Sequence, residues 1–304
     1  MSAVVAPGAA TPTARYNPDV SVVLPSYRSA ALALRSANRL ASFLDSTSMT
    51  WEVVVVDDGG ADFASDDLIG DSRVRLLRMP VNRGKGAAVA TGIKAARGQV
   101  RVFTDVDLPY DLELIPAMVD YIQARGFHLV IGDRTLPQST YLEAISFKRR
   151  LASTLFTTVV GRLVTGGFFD TQCGLKAMRA DVATAIFAIQ RLERFAFDVE
   201  LIYIALHHRL DIKRIPVQLR NNETSSVRLI RDSVRGFIDI ARIKYNQVRG
   251  YYRSEFLENL ICDEFAGFRE RQPVVDDSAS IPAGRPADGS LGRKLPTSGN
   301  KAAM

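Results

Sequence analysis

Trp51–Val56 (WEVVVV) is apolar apart from one glutamate, and it stops abruptly at Asp57-Asp58-Gly59-Gly60. Such a run has no side to give to water, so it reads as a strand covered on both faces, the habit of parallel sheets flanked by helices. Val20–Leu24 (VSVVL, closed by Pro25), Val74–Met79, Val100–Thr104 and Leu129–Gly132 repeat the pattern. Between them, Ala30–Leu44, Gly86–Ala96 and Leu112–Ala124 space their apolar residues as helices do. The alternation predicts an α/β fold with a mostly parallel sheet between helices. Farther on, Gly174–Arg179 and Lys213–Leu219 read as strands, and Ala180–Ile189 and Asp198–His207 as helices.

The ends are different in kind. Residues 1–18 and 269–304 are rich in Pro, Ser, Gly and Ala and read as disordered tails. Residues 19–226 form one α/β domain, and 227–268 a basic amphipathic helical segment. In that segment Val227, Ile230, Val234, Phe237, Ile238, Ala241, Tyr245 and Val248 share one stripe, with arginines around it. This fits a helix packed on the domain, and equally a peripheral contact with an anionic membrane.

A hydrophobic content of 47% excludes a wholly disordered chain, and a formal charge of +6 points to an anionic partner. Two distant cysteines, Cys173 and Cys262, make no disulfide framework, and the chain reads as cytoplasmic. No signal peptide opens it, and no apolar run is long enough to cross a membrane. The nearest approach, Leu151–Phe169, is broken by Arg162.

In open parallel sheets, ligands bind beyond the carboxyl ends of the strands. Those ends read Pro25-Ser26-Tyr27-Arg28, Asp57-Asp58, Asn82-Arg83-Gly84-Lys85-Gly86 and Asp105-Val106-Asp107. Alternation along an extended segment points Asp105 and Asp107 the same way, and two such carboxylates suit Mg²⁺ or Mn²⁺ bridged to phosphate oxygens. The plainer reading is a solvated acidic turn. Asp58 can accept hydrogen bonds from a base or ribose, or it can cap a turn. Gly84-Lys85-Gly86 opens a helix, where backbone N–H groups and a lysine attract phosphate. It lacks the Walker A spacing, and no Gly-x-Gly-x-x-Gly follows the first strand. Acidic strand ends, with no basic strand interleaved with aromatics, argue against a nucleic-acid partner.

Seven segments in this order carry a resemblance: VSVVLPSYRSA, WEVVVVDDGGAD, MPVNRGKGAAVATGIKAARG, FTDVDLPYDLELIP, LVIGDRT, FFDTQCGLKAMRAD and FAFDVELIYIA. The chain resembles the inverting family 2 glycosyltransferases of GT-A fold, nearest to the polyprenyl- and dolichyl-phosphate β-glucosyltransferase branch. The resemblance implies that Pro25, Tyr27 and Asp58 contact the nucleoside of the donor, and that Lys85 and Asp105 bind its diphosphate end. It implies that Asp105 and Asp107 hold the metal, and that Arg134 lies near acceptor or donor phosphates. Asp198 takes the place of the catalytic base, with Asp170 in the same pocket. Helix and turn capping are the competing roles for these two aspartates.

The implied reaction moves a hexose, glucose from a UDP-sugar, to a polyprenyl phosphate; a soluble small-molecule acceptor is the alternative. An ionised phosphate nucleophile has little need of a base and more of arginines that position it. Arg134, Arg149 and Arg150 are the candidates, the last two competing with a solvated helix face. Two positions depart from the family pattern: Arg28 stands where asparagine is usual, and Leu108-Pro109-Tyr110 where a polar run is usual. Both departures bear on the identity of the sugar or base.

Overall fold

β-Branched residues pack well on a pleated surface, and the valine-rich runs do form the strands. The computed structural model describes residues 17–64, 70–141, 170–219 and 229–262, all within one compact unit. The predicted tails lie almost wholly outside these residues, as do Arg149, Arg150 and Leu151–Phe169. In order come β1 (Val20–Ser26), α1 (Ala30–Asp45), β2 (Trp51–Asp57), β3 (Val74–Arg78), α2 (Lys85–Ala95), β4 (Val100–Phe103), α3 (Leu114–Gln123), β5 (Leu129–Asp133) and β6 (Thr140–Tyr141). There follow β7 (Lys176–Arg179), α4 (Ala180–Ile189), α5 (Phe197–His207), β8 (Ile212–Pro216), β9 (Gln218–Leu219) and α6 (Leu229–Val248).

The main sheet runs β3-β2-β1-β4-β7-β5-β8, and β6 pairs with β9 in a small second sheet. Every neighbouring pair in the main sheet is parallel except those made by β7, which lies antiparallel between β4 and β5. That reversal brings the segment before Lys176 to the same edge at which β4 ends, since Phe103 pairs with Lys176.

Alternating side chains divide the core into two layers. Val54 and Val56 of β2, Val23 of β1 and Phe103 of β4 pack against α2, α4 and α5. Val53 and Val55 with Val20, Val22 and Leu24 pack against α1 and α3. Helix α2 is Ala-rich because it lies close to β1. A Cβ at Gly92 would overlap Val23 Cγ1. Gly92→Ala should therefore destabilise the fold by about 1–3 kcal/mol, as overpacked cores do, read as a lower urea midpoint.

The strand limits shift from the expected ones, by one or two residues in most cases, and two of the shifts have a clear cause. β1 continues through Pro25 to pair with Val56 and Asp57, while its pairing with β4 has already ended at Val23. Proline is tolerated where no ladder partner awaits its missing N–H. The predicted strand Lys213–Leu219 is two strands, broken after Pro216, the last residue to pair with β5.

Helix α6 belongs to the same unit as the sheet. Ile240 and Ile243 are buried in the α2/α4/α5 layer. Gly250, at φ +72°, turns the chain after it, a left-handed position that glycine adopts without steric cost. Tyr252 then docks on α5: its hydroxyl donates to Glu200 Oε1 at 2.6 Å, and its carbonyl oxygen lies 2.7 Å from His208 Nε2. His207 stacks on Tyr203. Both histidines are thus used in packing. Among the described residues no helix is long and apolar enough to cross a membrane.

Candidate active site

The carboxyl edge of β2 sets up the site. Asp58 is buried, and its carboxylate accepts from the backbone N–H groups of Arg83 and Gly84, both at 2.8 Å, and from Asn82 Nδ2 at 3.0 Å. It therefore holds the loop that leads into α2. Gly84 N-caps that helix at φ +111°, and a Cβ there would press on the carbonyl of Glu193 at 2.7 Å. Lys85 is the first residue of α2, directly after the Arg83–Gly84 pair that Asp58 holds, so its position follows from Asp58.

Lys85 Nζ lies 2.6 Å from Asp105 Oδ1 and 3.9 Å from Asp198 Oδ2. The other oxygen of Asp198 accepts from Lys176 Nζ at 2.5 Å, and Lys176 also donates to the carbonyl of Cys173 at 2.6 Å. Four charges thus alternate in a row: Asp105, Lys85, Asp198, Lys176. Burial disfavours the charge on Lys85, but Asp105 and then Asp198 outweigh it and raise the ammonium above its usual range. Burial would also raise Asp105, yet Lys85, with Lys176 and Arg134 beyond it, holds that carboxyl below the usual range. Asp107 stands at the exposed rim. Partial desolvation and the neighbouring Asp105 charge push its carboxyl up.

The floor of the site is glycine for a steric reason. A Cβ at Gly174 would collide with Asp105 Oδ2. The Gly174 N–H donates to the Tyr110 hydroxyl at 3.1 Å. Leu108 and Tyr110 are buried. The apolar departure Leu108-Pro109-Tyr110 therefore serves as a support beneath the Gly174 turn. On the metal reading of Asp105 and Asp107, Gly174→Ala is expected to weaken Mn²⁺ binding by about tenfold or more through the displaced carboxylate. Titration calorimetry would show this, with the melting temperature as the control on folding.

Arg134 and Asp170 form a second group. Asp170 is buried and accepts from Arg134 through Nε at 2.9 Å, Nη2 at 2.7 Å and the backbone N–H at 2.7 Å. Burial opposes the charge on Asp170, but the Arg134 hydrogen bonds prevail and hold its carboxyl below the usual range. The Arg134 loop is braced by buried Asp133, which accepts from Thr135 N at 2.7 Å and Arg214 Nε at 2.5 Å. Burial, then the Asp170 charge, push the Cys173 thiol up to about 11, which leaves it protonated at neutral pH.

The structure thus brings Lys85, Asp105, Asp170 and Asp198 to one edge, with Asp58 and Arg134 adjoining. Pro25 is buried in β1; Tyr27 is 43% exposed, with the Arg28 guanidinium 5.2 Å from its ring centroid. Asp198 is not the N-cap of α5: Ala196 holds that position, and the Asp198 carboxylate turns to the lysines. Lys176 escaped the sequence reading, although a lone lysine inside Leu175-Lys176-Ala177-Met178 was the available signal. Among the described residues no three His, Cys, Asp or Glu side chains cluster as a metal cage. The carboxylates at 105 and 107 fit a hard cation that takes its remaining ligands from phosphate and water, and Asp105 already accommodates a cation in Lys85.

Comparison with known proteins identifies the family. Residues 21–187 match the family described as Glycosyl transferase family 2. The chain is similar to dolichyl-phosphate beta-glucosyltransferase of Homo sapiens, at 32% identity over 68% of this chain and 69% of that protein. It is also similar to the Dictyostelium discoideum protein of that name, at 28% identity over 77% and 76%. Its fold resembles glucosyl-3-phosphoglycerate synthase from Mycobacterium tuberculosis, solved with Mn²⁺, UDP and glucosyl-3-phosphoglycerate. There the TM-score is 0.53 at 18% identity, covering 74% of this chain and 78% of that one. The chain therefore belongs to glycosyl transferase family 2, the nucleotide-sugar-dependent glycosyltransferases built on the GT-A fold.

Proposed function

We propose that this enzyme transfers glucose from a UDP-sugar, with inversion and with Mg²⁺ or Mn²⁺, to the phosphate of a polyprenyl phosphate. The carrying observation is the Asp105–Lys85 pair at 2.6 Å beside Asp107, a site that can handle a diphosphate and its cation together. The named activity of the human and Dictyostelium relatives supports the acceptor, and the UDP and Mn²⁺ of the structural neighbour support the donor.

In this reading Tyr27 and Pro25 border the base, and Asp58 acts through the loop it holds, with a nucleoside contact from its remaining lone pairs. Asp105 and Asp107 would hold the divalent cation, which supplies charge neutralisation to the departing diphosphate. Lys85 adds a second positive charge on the same side. Arg134, kept in place by Asp170, helps position the anionic acceptor, together with Arg149 and Arg150. Since that acceptor is already ionised, Asp198 is required as a proton acceptor only if the nucleophile is an alcohol.

A peripheral membrane contact at the cytoplasmic face accompanies this reading. The outer side of α6 exposes Ile238, Tyr245 and Val248 beside Arg242 and Arg249. A recess of about 240 Å³ nearby is lined by Arg191, Arg194 and Arg242, with Glu193 and Asp239. Apolar side chains among arginines suit an anionic lipid surface. The second reading, a soluble acceptor, is favoured by the phosphoglyceric acid bound in a structural neighbour. A donor screen read by nucleoside-diphosphate release, with and without Mn²⁺ and polyprenyl phosphate, separates them. Release from UDP-glucose that needs both additions is the expected result; transfer only to a soluble phosphorylated acid would overturn the lipid assignment.

A further inference from the structure

The row Asp105–Lys85–Asp198–Lys176 gives one lysine two carboxylates to choose between. Lys85 Nζ sits 2.6 Å from Asp105 and 3.9 Å from Asp198, so it is seated on the first and within reach of the second. Seated there, it occupies an oxygen of a carboxylate that the divalent cation needs. Asp198 cannot rotate away, because Lys176, itself wholly buried, holds Oδ1 at 2.5 Å and is tied by a second bond to the Cys173 carbonyl. A buried ion pair of this kind is poor evidence of stability for its own sake, since apolar replacements of both partners often do as well. Its geometry does, however, leave one fixed carboxylate oxygen facing Lys85.

We infer that Lys85 is a displaceable counter-cation for Asp105, and that Asp198, fixed by Lys176, is the positioning residue that receives Lys85 when a divalent cation takes Asp105. This rests on the metal–diphosphate reading above and goes beyond it. Asp198 then acts through Lys85 rather than on the acceptor's proton. Metal binding without a nucleotide is weakened by the cost of unseating Lys85. The diphosphate removes part of that cost, because it offers the freed ammonium another anion. Metal and nucleotide are thereby coupled through one side chain, and the coupling is reciprocal.

Mn²⁺ titration of the full chain, followed by electron paramagnetic resonance of free Mn²⁺ with and without UDP, tests this. Lys85→Gln should bind Mn²⁺ about tenfold more tightly than wild type in the absence of UDP, and UDP should enhance its binding less than it does in wild type, the remaining enhancement coming from diphosphate oxygens that ligate the cation directly. Asp198→Asn should bind Mn²⁺ about tenfold more weakly, and that effect should shrink to about twofold or less in the Lys85→Gln background. An Asp198 effect of equal size in both backgrounds would mean a plain field effect and overturns the role given to Asp198. The Lys85 side chain is 15% exposed against 3% for Asp198, so its variant is the less disruptive of the two. If Asp198→Asn fails to fold, Lys85→Gln decides alone: unchanged or weaker Mn²⁺ affinity without UDP overturns the inference. Absence of Mn²⁺ binding to wild type even with UDP would instead sink the metal reading itself.

Discussion

Asp107→Ala is expected to lower glycosyl transfer by about a thousandfold, equivalent to about 4 kcal/mol of transition-state stabilisation, while leaving the melting temperature near that of wild type. The asymmetry comes from where the side chain stands. Asp105 is tied to Lys85 and pressed against Gly174, so its loss disturbs neighbours. Asp107 is exposed at the rim, and no ion pair to it is seen among the described residues. On the proposed metal reading, removing it costs the cation a ligand; it costs the fold little. Because partial burial and the Asp105 charge raise the Asp107 carboxyl, its protonation begins above the ordinary aspartate value of about 3.9. Metal-dependent turnover should therefore fall as pH drops toward that range, and excess Mn²⁺ should shift the acid limb to lower pH. Steady-state rates with titrated Mn²⁺ measure both effects. Undiminished transfer by the alanine variant, or full activity in chelator, would contradict the assignment.

The Arg134–Asp170 pair should produce the largest change in stability. Asp170→Ala removes two hydrogen bonds to the Arg134 guanidinium and one to its backbone N–H, and breaking a buried pair of this kind costs about 3–5 kcal/mol, measurable as a lower urea midpoint at unchanged slope. The pH sign follows from the depressed folded-state pKa of Asp170. Its contribution is present above the unfolded value of about 3.9 and is lost as pH falls through the lower folded value. Wild type and variant should therefore converge in stability only in strong acid. Replacing both partners, as in Arg134→Met with Asp170→Leu, should recover much of the stability without recovering transfer, because the guanidinium proposed to position phosphate is gone. Recovery of transfer in that double variant would make the pair purely structural.

Which segments become strands and helices was legible from periodicity, because burial on both faces of a sheet demands unbroken apolar runs and a helix demands spacing of three and four. Ala180–Ile189 was read with the limits the structure shows, and α2 within one residue. The acidic and basic residues at the strand ends were legible too, since a parallel sheet places all such ends on one edge. The direction of β7 was not. Four residues, Lys176–Arg179, carry the same local pattern whichever way they run, and only pairing with β4 and β5 sets it. The partners of Asp58, Asp170 and Asp198 were likewise out of reach. Each is a carboxylate whose donors lie at least twenty residues away in the chain, at Arg83, Arg134 and Lys176. Local sequence specifies conformation through sterics and hydrophobic period, which act over a few residues. Where a buried charge finds its counter-charge depends on which elements the packed sheet brings together, and that was decided by the tertiary structure alone.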